Sequence, residues 1–340
     1  MDINNIIGRL NYKRLSLLSS YCYNNNFTRL PYQPLEVFVE PTNHCNLKCI
    51  ICPQHSGFKR EKGFMSLDSF NKILRELINA KIPKVTLHFA GESLLNKNIL
   101  EMIILAKKNM LYTRLHTNAT LLSEDYSKRI INSGLDDLSF SFDDPRKEVY
   151  ERIRVGASYE KTLANIKIFL ETKKRLKAKK PYTIIQRIKL GDANDSDSID
   201  SDYQKLFEGL PVDKFYTILT HNWAGSCQDS FIEKEKYSSI KSPCRVIWSR
   251  FAIGWDGKVY ACCNEMNGRL FVGNLNITNT SLLDIWNGPQ MLDLREKMIN
   301  AKYEDIEDCR NCDVLLRSKR LPMNTLKERL VKLFLFLQRQ

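Results

Sequence analysis

Short apolar runs rich in β-branched and aromatic residues alternate along this chain with longer amphipathic stretches. Leu35–Pro41 (LEVFVEP) reads as a strand. Ser66–Ala80 follows with apolar residues at helical spacing and Ser66 as its N-cap. Lys84–Gly91 is the next strand and Lys97–Met110 the next helix. Thr113–Thr120 is a strand, followed by a helix that starts at Ser123 and stops at Gly134. Leu135–Asp143 and Ser158–Lys177 form a fourth strand–helix pair, and Tyr182–Leu190 with Ser198–Leu210 a fifth. Val212–Thr220 is a sixth strand. Strands alternating with helices imply right-handed crossovers and a parallel sheet, hence the α/β class. Six units, without the last two of an eight-fold barrel, predict an open, partial (β/α)6 barrel.

The pattern changes near Gly225. Phe251–Cys263 (FAIGWDGKVYACC) predicts a β-hairpin turning at Asp256-Gly257. Leu282–Asn300 predicts helix interrupted at Gly288-Pro289. The domain boundary falls near residues 225–243. The chain divides into an N-terminal extension (1–34), the barrel (35–225), a small C-terminal domain (226–316) and a basic amphipathic tail (317–340). In that tail Leu326, Leu330, Leu333, Phe334 and Leu337 keep helical spacing. This face either docks on the barrel or makes a peripheral membrane contact.

With 340 residues, 43% hydrophobic, the chain can bury a sizeable core. Its 27% charged and 10% aromatic content excludes a disordered chain. No apolar run reaches the roughly 20 residues of a membrane span. The N-terminal segment does not read as a secretory signal. Lys and Arg total 52 against 39 Asp and Glu, a net charge of +13, which favours anionic partners. From Arg317 to Gln340 there are seven basic residues and one acid. Residues 171–181 form a second basic cluster. Both read first as a solvated helix end and a tail, and no nucleic-acid partner is expected.

Ten cysteines in a leaderless chain change the picture more than charge does. They predict a cytoplasmic protein whose thiols bind metal or do chemistry. Cys45, Cys49 and Cys52 form Cys-x3-Cys-x2-Cys directly after the first strand, at the end of a β/α barrel where active sites are built. Three thiolates can hold three corners of a [4Fe–4S] cluster, and no fourth cysteine lies near in sequence. One iron would stay open for chemistry. A structural zinc site is the alternative.

The run CNLKCIIC resembles the signature of the radical S-adenosylmethionine (SAM) superfamily. In that family the open iron chelates the amino and carboxylate groups of SAM. The reduced cluster then cleaves SAM to methionine and a 5′-deoxyadenosyl radical that takes a substrate hydrogen. The resemblance runs from about Leu35 to Cys312. Ile51 stands where the family usually has an aromatic residue. Ala90-Gly91-Glu92-Ser93 resembles the family's Gly-Gly-Glu-Pro loop, which implies that Gly91 and Glu92 meet the SAM ammonium group. Thr117 and Asn118 resemble the third-strand Thr-Asn-Gly segment, with Ala119 in the glycine's place. Ser141 resembles the fourth-strand serine that contacts SAM. Asp143 is a candidate for SAM contact or for capping the following helix, and Gln186 a candidate for the ribose.

Cys244-x12-Gly257-x4-Cys262, with Cys309-x2-Cys312, resembles the auxiliary-cluster domains called SPASM and Twitch. The resemblance implies an auxiliary [4Fe–4S] cluster held by Cys244, Cys262, Cys309 and Cys312, in the shorter Twitch form, with structural zinc as the alternative. Which of Cys262 and Cys263 ligates is open, because adjacent strand residues face opposite ways; family spacing favours Cys262. Cys22, Cys227 and Cys263 are uncommitted. Cys227 and Cys263 are candidate hydrogen-atom donors, or else small buried hydrophobes. His44, His88, His116 and His221 show no metal-ligand spacing and receive no role.

The resemblance implies a radical SAM enzyme that draws electrons from a flavodoxin or ferredoxin. The first expectation is oxidation or epimerisation of a hydroxyl-bearing carbon on a sugar-like small molecule. The alternatives are a peptide-modifying maturase and a non-catalytic iron–sulfur electron carrier.

Overall fold

A computed structural model describes residues 3–55, 57–190, 199–227, 240–277, 280–318, 320 and 323–337. Most of the expected boundary segment (228–239) and the chain end (338–340) lie outside the described residues.

The chain opens with helix α1 (Ile3–Asn24) and enters strand β1 (Glu36–Val39). Then come α2 (Leu67–Asn79), β2 (Lys84–Leu87), α3 (Ile99–Lys108), β3 (Tyr112–Thr117), α4 (Glu124–Asn132) and β4 (Asp137–Ser141). A short α5 (Lys147–Ile153), not expected from the sequence, precedes α6 (Tyr159–Arg175), β5 (Tyr182–Lys189), α7 (Ile199–Leu206) and β6 (Lys214–Leu219). Ser66 caps α2 by accepting from Ser69 N, and Ser123 caps α4 by accepting from Tyr126 N. Each satisfies one orphan donor of its helix.

The six strands pair in parallel in the order β6-β5-β4-β3-β2-β1. The sheet then continues past the expected domain boundary. Strand β7 (Arg250–Ile253) pairs in parallel with β1, and β8 (Lys258–Tyr260) and β9 (Phe271–Asn274) extend it antiparallel. One nine-stranded sheet therefore carries both regions. The β7–β8 hairpin turns at Asp256-Gly257, as its sequence demands.

Period-two alternation gives the sheet two different faces. Val37, Val39, Val85, Leu87, Leu115, Leu138, Phe140 and Ile185 are buried in the main core with Phe70, Ile73, Ile103 and Phe169 from the helices. The intervening residues line the inner face, and their first row is charged. Lys84 and Arg250 pair with Glu36 at 3.0 and 3.5 Å, and Arg114 pairs with Asp137 at 2.7 Å. That row closes one end of the half-barrel with polar contacts and leaves the other end to the loops.

The remaining helices are α8 (Leu282–Trp286), α9 (Pro289–Ile299), α10 (Glu307–Arg310), α11 (Val314–Arg317) and α12 (Thr325–Leu337). A Ser281–Asp284 capping box starts α8, and Pro289 opens α9 at the predicted interruption. The N-terminal segment is more than an extension. Leu15, Leu18 and Cys22 of α1 are fully buried in the core that contains Trp248. Ser19 Oγ donates to Trp248 O (3.0 Å) and Tyr23 Oη to Pro243 O (2.6 Å). The tail helix α12 packs on α1, with Val331 fully buried. Leu326 and Leu333 stay 68% and 52% exposed. Among the described residues no helix is long and apolar enough to cross a membrane.

Because α1 buries Leu18 completely, Leu18→Ala should cost about 2–5 kcal/mol. Thermal unfolding of the purified protein should show the lowered midpoint, whereas an exposed site such as Leu10→Ala should leave it in place.

Candidate active site

The segment after β1 is too polar and too tightly bonded to be a passive connection. Thr42 Oγ1 donates to Gly63 O (2.7 Å) and accepts from His44 N (3.0 Å). Gln54 donates to Asn43 O, and Cys52 N to Cys49 O. Lys48 N and Ile50 N donate to Val155 O and Ile153 O, at the end of α5 and just past it. This scaffold brings Cys45, Cys49 and Cys52 onto one cavity of ≈ 840 Å³, counting its open mouth. Burial pushes the Cys45 thiol up to about 11 and the Cys52 thiol up to about 12, so iron binding there displaces protons.

The second and third strands hold this loop from the side. Glu92 N donates to His44 O at 2.8 Å. Gly91 has φ +82°, and a Cβ there would stand 2.5 Å from His44 O and 2.7 Å from Thr42 O. Only glycine fits such an approach. The buried Glu92 carboxylate accepts from Leu94 N (3.1 Å), Thr117 Oγ1 (2.8 Å) and Asn118 N (2.7 Å). Burial pushes its acid upward against the pull of those bonds. Ser93, in place of a proline, donates its hydroxyl to Leu87 O (2.8 Å) and so ties the loop. Asn118 Nδ2 donates to Asn46 Oδ1 (2.9 Å), and Ala119 adopts φ +61° where a glycine was expected.

Gly91, Glu92, Thr117, Asn118, Ser141 and Gln186 all line the three-cysteine cavity, as placed by sequence. Asp143 is different. It accepts from the Arg154 guanidinium and from Ile188 N (2.9 Å), while Asp144 accepts from Arg146 N in the turn before α5. The N-cap position of α5 is Arg146 and no side chain caps that helix, so Asp143 does not cap it. Arg154 itself is buried, lines the cavity and brings Nη1 to 3.8 Å from Cys49 Sγ. It was invisible in the sequence, where it is one of 52 basic residues. Its Asp143 partner and Cys49 hold it cationic, against the burial that opposes its charge.

A second, smaller apolar cavity is lined by Cys244, Cys262, Cys309 and Cys312 together. Cys263 is absent from it. Cys263 packs instead against the cluster of Phe89, Ala90, Ala252, Tyr260 and Met266. Family spacing and the cavity lining thus both point to Cys262. Burial pushes Cys244 up to about 12 and Cys312 up to about 11. Among the described residues no three His, Cys, Asp or Glu side chains converge on one ion.

Cys227 sits beside the cysteine loop, its Sγ 3.6 Å from Ile51 O. Trp223 Nε1 donates to the same carbonyl at 2.7 Å, so the loop after β6 also clamps Ile51. His88 and His116 were given no role, yet both line the cavity. The only signal for them was strand alternation across two neighbouring strands, which needs the pairing register to be read.

The sequence profile of the radical SAM superfamily matches residues 39–179, and that of the iron–sulfur cluster-binding domain SPASM matches residues 244–313. The PqqA peptide cyclase of Rhodopseudomonas palustris is 31% identical over 121 residues, 35% of this chain and 32% of that protein. The probable GTP 3′,8-cyclase of Methanococcus maripaludis is 28% identical over 130 residues, 38% of this chain and 43% of that protein. The chain thus spans less than half the length of these relatives. Streptococcus suis SuiB bound to precursor peptide SuiA superposes with TM-score 0.63 at 16% identity, over 84% of this chain and 71% of that one. BtrN in complex with AdoMet and 2-DOIA gives TM-score 0.56 at 16% identity, over 82% and 92%. At such identity the likeness is one of fold.

Three substitutions test the site. Cys262→Ser should remove about half of the iron bound by anaerobically reconstituted protein, and Cys263→Ser should retain it; iron and sulfide analysis reads both. Gly91→Ala should destabilise by at least about 2 kcal/mol and lower iron occupancy at the N-terminal triad, seen as a lower unfolding midpoint and weaker cluster absorbance.

Proposed function

Because this chain belongs to the radical SAM superfamily and carries a SPASM-type iron–sulfur domain, we propose that it opens a C–H bond on a peptide substrate. SAM and [4Fe–4S] clusters are its cofactors, and when bound they supply a radical that removes a substrate hydrogen.

The chain's own residues supply placement. Cys45, Cys49 and Cys52 present three thiolates to one cavity, and Gly91, Glu92 and Asn118 fix their loop. The observation that carries the peptide reading is the open inner face leading away from that cavity. It ends at β6, whose one strand neighbour among the described residues is β5. Tyr216 on that edge is 46% exposed. A free strand edge can take an extended chain by backbone hydrogen bonds, with side chains reading pockets beside it. Names among the similar proteins lean the same way, a peptide cyclase by sequence and a precursor-peptide complex by fold. Electrons would come from a small reductant protein such as a flavodoxin or ferredoxin.

A second reading, oxidation or epimerisation of a hydroxylated sugar-like metabolite, has its own observation. Cys263 packs against the cluster that holds Ala252 of β7 and Phe89, which lines the three-cysteine cavity. A thiol there could return a hydrogen atom to a substrate radical.

The test is an anaerobic assay of reconstituted enzyme with SAM and dithionite. Synthetic peptide pools should raise 5′-deoxyadenosine release well above the substrate-free rate. Product mass separates outcomes, since loss of H2 reports a cross-link and unchanged mass reports epimerisation. Stimulation by sugar metabolites in place of peptides overturns the peptide reading. No 5′-deoxyadenosine under any condition would remove both enzymatic readings.

A further inference from the structure

The tail helix α12 buries one apolar stripe and still shows a second. Successive residues turn by about 100°, which sets Val331 and Leu335 together on one side. Val331 is fully buried there, and Leu335 packs against the main core. Leu326, Leu330 and Leu333 fall within about 60° of arc on the other side. They are 68%, 40% and 52% exposed. Docking on α1 uses only the first stripe. One leucine in water needs no explanation, but three in register along a helix of about 20 Å form a ridge that asks for a partner.

The residues beside the ridge say what that partner is. Arg329 flanks it on one edge and Lys327 on the other, each within about 60° of the nearest leucine. Lys332 follows Arg329 around the helix, and all three are exposed. Glu328, the single acid of α12, is half-buried and turned to the docked side. A second copy of this chain laid on the ridge would set Lys327 and Arg329 against their own kind, between chains that each carry +13. An anionic lipid surface meets both features. Its acyl boundary takes the leucines, and its headgroups take the cations at their edges.

We propose that α12 is a peripheral membrane anchor. It lies in the plane of an anionic bilayer with Leu326, Leu330 and Leu333 below the headgroups and Lys327 and Arg329 among them. Among the described residues no helix is long and apolar enough to cross a membrane, so the contact is made from one side. Three leucines are a small apolar payload, and the attachment is reversible. Nothing in it depends on the identity of the substrate.

The test is flotation of the whole 340-residue chain, reconstituted anaerobically, with lipid vesicles. Vesicles of phosphatidylglycerol and phosphatidylcholine in equal parts should bind it saturably, and vesicles of phosphatidylcholine alone at least about tenfold more weakly, roughly 1.4 kcal/mol. Raising salt from about 0.1 M to about 1 M shortens the screening length from about 10 Å to about 3 Å and should release it. The joint variant Leu326→Ser, Leu330→Ser, Leu333→Ser should lose about tenfold in affinity, as should the joint variant Lys327→Glu, Arg329→Glu. These side chains face water, so iron content, the unfolding midpoint and substrate-free release of 5′-deoxyadenosine should stay in place. If the serine variant unfolds early, the charge reversal alone decides. The anchor is overturned by equal binding to neutral and anionic vesicles, by binding that survives the charge reversal, or by no vesicle binding at all. A concentration-dependent dimer in sedimentation, abolished by the serine variant in a protein that ignores vesicles, would give the ridge to a second copy instead.

Discussion

Everything at the cavity depends on one backbone approach that a single methyl group would prevent. The turn after β2 runs so close to the loop after β1 that a Cβ on Gly91 would stand 2.5 Å from His44 O and 2.7 Å from Thr42 O. Glu92 N closes a hydrogen bond to His44 O, and the Glu92 carboxylate carries the link on to β3 through Thr117 and Asn118. The three cysteines keep their spacing because three strands end at one height and brace each other. Cluster chemistry needs that rigidity, since thiolates placed by a free loop would not hold a fixed open iron.

The same sheet joins the two cysteine cavities. Parallel pairing of β1 with β7 makes the C-terminal hairpin a continuation of the barrel wall. Phe89 and Met266 line the first cavity and pack with Cys263, the neighbour in sequence of the Cys262 that lines the second. Glu40 strengthens this junction. Its buried carboxylate binds Arg60 and accepts from Ala90 N and Trp255 N, joining β1, the β2 turn and the hairpin. Arg60 in turn lies against Phe58, Phe89 and Tyr260. Removing either charge would strand the other in a buried site.

Several features were legible before any coordinates. Ser66 and Ser123 act as caps, Asp256-Gly257 turns a hairpin, and Pro289 restarts a helix, because each depends on contacts within a few residues. The cysteine sets were legible by spacing. Others were not. Asp144, not Asp143, serves the turn before α5, since adjacent acids are indistinguishable without knowing that Arg154 claims one of them. The tail helix kept its amphipathic pattern, but the pattern could not say that α1 would receive it.

The sequence by itself determined the alternation of strands and helices, the parallel sheet, the two sets of thiols and the residues around the first set. The elements and the thiol sets rest on local propensity, periodicity and ligand spacing, which are short-range properties of the chain; the residues around the first set rest on the resemblance of their motifs to the radical SAM family. Tertiary structure alone decided that Arg154 stands beside Cys49 and that His88 and His116 meet across two strands. It also decided that α1 belongs to the core and that one sheet spans both regions. Each of these depends on strand register or on packing between segments distant in sequence, where a one-residue slip would turn every side chain to the other face.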